Sequence, residues 1–200
     1  MRESTTIRIA VRATARCAML AVAAACGGKA SSDAPARYGI GRAVTSQEIA
    51  ALDIDVGPDG AGLPAGKGSA TEGAALYATQ CAQCHGPKGE GMPPAYPPIV
   101  GRDAAGETFG FANDAKITKT IGNYWPNATT LFDYLRRAMP HTAPGSLTNE
   151  QVYALTAHLL VANGILPAAA VLDSASLMAV KMPAAGHFVP DDRRGGGTVR

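Results

Sequence analysis

The chain has little of what marks most binding and catalytic classes. It has four cysteines, and two of them, Cys17 and Cys26, lie in the N-terminal segment. The two thiols left in the body exclude a disulfide framework. Runs of β-branched residues are few, which argues against an extensive sheet, while alanine and other helix formers are plentiful. Tryptophan occurs once, at position 125. The formal charge of +2 comes from Arg2, Arg8, Arg12 and Arg16, opposed there by Glu3 alone; without that segment 14 basic residues face 15 acidic ones. That balance leaves no basic footprint for nucleic acid. The apolar stretch from about Cys17 to Ala25 is too short to cross a bilayer as a mature helix.

What the chain does have is Cys81-Ala82-Gln83-Cys84-His85. Two thiols three positions apart, followed at once by histidine, read as a c-type haem attachment site. On a helical turn Cys81 and Cys84 face the same way, so each sulfur can meet one vinyl group of one haem. His85 then offers an imidazole nitrogen to the iron. A thioredoxin-type redox pair would need a βαβ context that the pattern lacks. A Cys2His2 zinc site would need two more ligands at short spacing, and His141 and His158 are too far apart.

A six-coordinate haem carries electrons, whereas a five-coordinate one binds small molecules. The candidates for the sixth ligand are Met92, Met139, Met178, Met182, His141 and His158. Met139 leads, because Pro140 stops the helix before it and frees the thioether to turn inward. His141 is its rival. Met92 is too close to His85 in sequence, Met182 lies beyond the last helix, and His158 reads as a surface or partly buried residue. Met/His ligation raises the potential.

Residues 1–25 read as a secretory signal, 26–68 as a tether and N-terminal arm, 69–163 as the haem domain, and 164–200 as a C-terminal arm with a disordered tail. Leu20 to Gly28 resembles a bacterial lipoprotein signal with Cys26 as the lipidated residue, the alternative being ordinary cleavage after Ala25. Residues 27–37 form a flexible linker. A short helix follows Thr45, with Glu48 placed for a capping box, and ends near Asp53. Ser69 with Glu72 opens the first helix of the haem domain, where Gly73, Ala74 and Tyr77 offer a small face for a close helix crossing. Residues 86–126 are irregular, with Ile99 and Val100 expected against the ring and Trp125 a candidate donor to a haem propionate. The next helix starts at Asn127 or Thr129 and ends near Ala138, with Arg136 and Arg137 read as a solvated end in preference to a docking patch near the haem edge. The last runs from about Asn149 to Ala162, boxed by Thr148 and Gln151 and closed by Asn163-Gly164. A short helix is expected near Ser174–Ala179, and an extended run over Lys181–Pro190.

A helix before CxxCH, a loop methionine and a final helix crossing the first resemble the class I cytochrome c fold. This is an all-α domain, here with irregular N- and C-terminal arms. Residues 38–68, Tyr124-Trp125-Pro126, Leu131 to Pro140, Ala143 to Leu155, Leu172 to Pro183 and Gly186 to Asp191 are similar to the cytochrome subunit of sulfite and sulfane dehydrogenases. The resemblance implies a periplasmic monohaem subunit that accepts electrons from a separate molybdenum-containing catalytic subunit and passes them to a downstream cytochrome c or oxidase. It implies no substrate chemistry in this chain; a lipid anchor at Cys26 would be a departure from the family and the one link to a membrane. Cys81, Cys84, His85 and Met139 transfer from the family pattern. The rival readings are a free-standing or membrane-tethered shuttle for another dehydrogenase or oxidase, and a haem enzyme or gas sensor with an open sixth site.

Overall fold

The computed structural model describes residues 39–102 and 109–189. The expected signal peptide, Cys26, the linker and the glycine-rich tail lie outside these residues. The chain divides into two units, Met1–Thr45 and Ser46–Arg200. In the first, the described residues 39–45 are exposed and carry no regular element.

In the second unit the elements run α1 (Ser46–Leu52), β1 (Lys67–Ser69), α2 (Ala70–Gln80), α3 (Ala82–His85), α4 (Ala128–Ala138), α5 (Asn149–Ala162), β2 (Val171–Asp173) and α6 (Ser174–Met178). Short 3-10 turns occupy Gly110–Ala112 and Ala185–His187. Helix α2 starts where its cap chemistry dictates. The Ser69 side chain accepts from the Glu72 backbone N–H, and Glu72 Oε2 accepts from the Ser69 N–H at 2.8 Å. Thr148 and Gln151 do the same for α5. Each box satisfies N–H groups that the first helical turn leaves unpaired. Asp173 and Ser176 build a third box for α6.

Helices α2 and α5 cross at Gly73. A β-carbon there would stand 1.9 Å from the Ala154 carbonyl oxygen, so the backbones meet at a distance that only glycine allows. The core gathers around α5, where Val152, Tyr153, Leu155 and Leu160 are fully enclosed, and takes in Phe132 from α4 and Tyr77 from α2. Burial of each large side chain contributes about 1.5–3 kcal/mol. Both arms join this core: Val56 comes from the N-terminal arm, and Leu172, Leu177 and Met182 from the C-terminal arm.

The fold is all-α apart from one feature absent from the sequence reading. Strands β1 and β2 pair antiparallel, with Gly68 opposite Leu172. The expected extended run beyond Lys181 is also corrected: it turns, with Met182 and Ala184 buried and a 3-10 turn at Ala185–His187. Burying those two side chains requires the backbone to fold back on its own domain.

Candidate functional site

Helix α2 ends at Cys81, whose N–H bonds to the Tyr77 carbonyl, and the chain resumes as the single turn α3. The His85 and Cys84 N–H groups both donate to the Cys81 carbonyl, which fixes the CxxCH segment as one compact turn. Gly86 ends it with φ of 77°, a backbone region that glycine enters without strain. Beneath the turn lies Tyr77, 3% exposed, whose hydroxyl donates to the Gly86 carbonyl at 2.8 Å. Burial pushes its phenol up to about 12, with Cys81 adding to the effect, so it stays a donor. Tyr77→Phe should lower stability by about 1 kcal/mol, read as a fall in melting temperature of the holoprotein with the haem retained.

Cys81 and Cys84 both line a cavity of about 520 Å³. Its wall includes Cys81, Cys84, His85, Ile99, Ile121, Trp125, Leu131, Leu135, Met139 and Leu159. That size and this mostly apolar lining with a few converging polar groups suit a large planar ligand. Burial, with Cys84 adding, pushes the Cys81 thiol up to about 11. Burial pushes His85 down, which keeps its imidazole neutral and its lone pair available. The buried Nδ1 of His85 has no hydrogen-bond partner. An imidazole nitrogen left so is costly unless something binds the ring. Among the described residues no group of three His, Cys, Asp or Glu side chains converges, as a zinc site would require.

The structure sorts the candidate sixth ligands. Met139 and His141 both line the cavity. Met139 is half-buried against the core and follows α4 directly, its N–H bonded to the Leu135 carbonyl, while His141 is exposed. Met92 is 51% exposed and does not line the cavity. Met178 and Met182 line a separate cavity beside Pro58 and Asn127. His158 is half-buried against the Tyr77 ring at 5.1 Å, and burial pushes its pKa down.

Several side chains do other work than expected. The Trp125 ring lines the cavity, and its Nε1–H donates to Thr130 Oγ1 at 3.0 Å. Ile99 lines the cavity, whereas Val100 packs toward Gly89. Asn127 occupies the N-cap of α4 without a side-chain cap bond, and Thr129 donates to the Pro58 carbonyl instead. Arg137 is exposed, as a solvated end would be, and pairs with Asp133, whereas Arg136 is half-buried and donates to the Ile54 carbonyl at 2.8 Å. The sequence reading missed Asp133, which is 8% exposed and accepts the Val56 N–H. Arg137 above all, with that N–H, holds its carboxyl below the usual carboxylate range. An acidic residue four before an arginine on one helix was the available signal.

The family model described as cytochrome C oxidase, cbb3-type, subunit III matches residues 68–159. A chain in the crystal structure of the sulfane dehydrogenase SoxCD from Paracoccus pantotrophus is 36% identical, with 82% of each chain covered and a TM-score of 0.68. No curated protein matches. The chain belongs to the class I c-type cytochromes, haem proteins that transfer electrons, and it carries one covalently bound haem c. Within that family it resembles the SoxCD chain over far more than the 68–159 segment. Among the described residues no helix is long and apolar enough to cross a membrane.

Proposed function

We propose that this chain is the electron-accepting subunit of a periplasmic molybdoenzyme that oxidises sulfite or protein-bound sulfane sulfur. One observation carries the reading: the likeness to a sulfane dehydrogenase chain covers 82% of both chains, beyond what a shared haem domain would give. In this reading Cys81 and Cys84 would hold the haem through thioethers, and His85 and Met139 would ligate its iron. The common cavity, the neutral imidazole and the freed thioether support that assignment. The haem, when bound, takes up and gives back one electron. The protein excludes water with Ile99, Ile121, Leu131, Leu135 and Leu159, and keeps the two ligand-bearing segments fixed on α2–α3 and α4. The basic N-terminal segment and Cys26 support export and a lipid tether.

The test is a haem spectrum of protein purified gently from its native cells. Addition of sulfite, or of a carrier protein bearing a persulfide, should reduce the haem promptly, with molybdenum in the same fraction. A haem that dithionite reduces but neither sulfur donor does would remove the sulfur-enzyme partnership and leave a shuttle for another dehydrogenase.

A further inference from the structure

The face of α4 turned away from the cavity is not bare. Thr129, Asp133 and Arg136 stand at i, i+4 and i+7, one stripe of the helix. Each bonds a backbone group of the N-terminal arm. Thr129 Oγ1 donates to the Pro58 carbonyl at 3.0 Å, Asp133 Oδ1 accepts the Val56 N–H at 2.8 Å, and Arg136 donates to the Ile54 carbonyl at 2.8 Å. The arm thus runs antiparallel to the helix and offers alternate residues. From Thr129 to Asp133 the helix rises about 6 Å, close to the roughly 6.6 Å that two extended residues advance; from Asp133 to Arg136 it rises about 4.5 Å, and the long arginine side chain spans the difference. Arg137 grips Asp133 through two nitrogens and so fixes the carboxylate that takes the Val56 N–H.

The opposite face of the same helix carries Leu131, Tyr134 and Leu135 into the haem cavity, and Met139 follows its last turn. Core packing holds the helix as far as Leu135, which is 6% exposed. Beyond it Arg136, Arg137 and Ala138 are half-buried or exposed. The side-chain bonds of that last turn run to Ile54 and to Asp133. The turn that presents Met139, itself half-buried against the core, is therefore also fastened from outside, through Arg136 to the arm.

We propose that the Ile54–Pro58 segment is a brace for the ligand-bearing helix, and that Asp133 and Arg136 are positioning residues that keep Met139 on the iron. The proposal rests on the reading of Met139 as axial ligand. Neither residue touches the haem cavity, and both act through the backbone that ends at Met139.

The experiment uses the oxidised holoprotein. The Met–iron charge-transfer band and the affinity for added imidazole are measured for the parent and for Arg136→Met, Arg136→Lys and Asp133→Ala. Leu172→Ala, a buried substitution on β2, serves as the control for general destabilisation. Arg136→Met and Asp133→Ala should weaken the band and tighten imidazole binding about tenfold, equivalent to about 1.4 kcal/mol. Arg136→Lys should recover part of the loss, because it keeps a donor. If Asp133→Ala does not fold, the Arg136 pair decides. Parent-like band and affinity in Arg136→Met would overturn the brace while leaving the ligand assignment standing. So would an equal gain in imidazole affinity from Leu172→Ala at the same loss of melting temperature. A parent protein without the band would overturn the ligand assignment, and the brace with it.

Discussion

Met139→Ala should abolish the Met–iron charge-transfer band and lower the midpoint potential on the order of hundreds of millivolts, within the roughly 0.8 V that axial ligation commands. A thioether favours the reduced iron, so its removal withdraws that preference. Water or an added ligand would then take the vacated position, and carbon monoxide, which the parent should resist, would bind the reduced protein readily. The haem itself should stay, because its two thioethers at Cys81 and Cys84 do not depend on position 139. His141 makes the result decisive. It lines the same cavity two residues on, from an exposed position. Were it the ligand, Met139→Ala would leave potential and carbon monoxide resistance nearly unchanged, and His141→Ala would move both. Optical spectroscopy and a potentiometric titration of the two variants separate the assignments.

How much of this was legible beforehand depends on where the information sits. The capping boxes at Ser69–Glu72 and Thr148–Gln151 are local signals, and the helices begin where they predict. The attachment pentapeptide and the Met139-Pro140 stop are local too, and the fold carries both to one cavity. The β1–β2 pair was not legible, because Lys67–Ser69 and Val171–Asp173 are three residues each and a hundred apart in sequence. What makes β1 fit is Gly68, where a β-carbon would stand 2.4 Å from the Ala154 nitrogen on α5, a contact no local pattern reveals. The arm-to-helix ladder escaped for a similar reason. Its arm side consists of backbone carbonyls and an N–H, which are the same in every sequence. Arg136 and Arg137 therefore read as an ordinary basic helix end until their partners are seen. The bond from Trp125 to Thr130, five residues on, forms only once α4 is in place, so it too was not legible.

Gly73→Ala should destabilise the protein by about 3 kcal/mol or more, at or beyond the upper end of ordinary overpacking. The contact it creates is with backbone: 1.9 Å to the Ala154 carbonyl oxygen and 2.5 Å to its carbon, with the His158 β-carbon at 2.8 Å. No rotamer change relieves this, so α2 and α5 must separate. Helix propensity pulls the other way, since alanine favours a helix interior over glycine by about 1 kcal/mol, and the two magnitudes decide the sign. Separation would strike the site as well as the core. Helix α2 delivers Cys81, α5 contributes Leu159 to the cavity wall, and the Tyr77–His158 ring contact lies at the same crossing. The variant should therefore melt far below the parent and mature to less holoprotein. Gly186→Ala is the matched control. Nothing lies within 4 Å of the β-carbon it adds, so its stability should stay within about 0.5 kcal/mol of the parent's. Thermal unfolding followed in the haem absorption and in far-ultraviolet dichroism checks both. Parent-like melting of Gly73→Ala would mean that the two helices do not cross at this residue, and the placement of the attachment turn against α5 would fall with it.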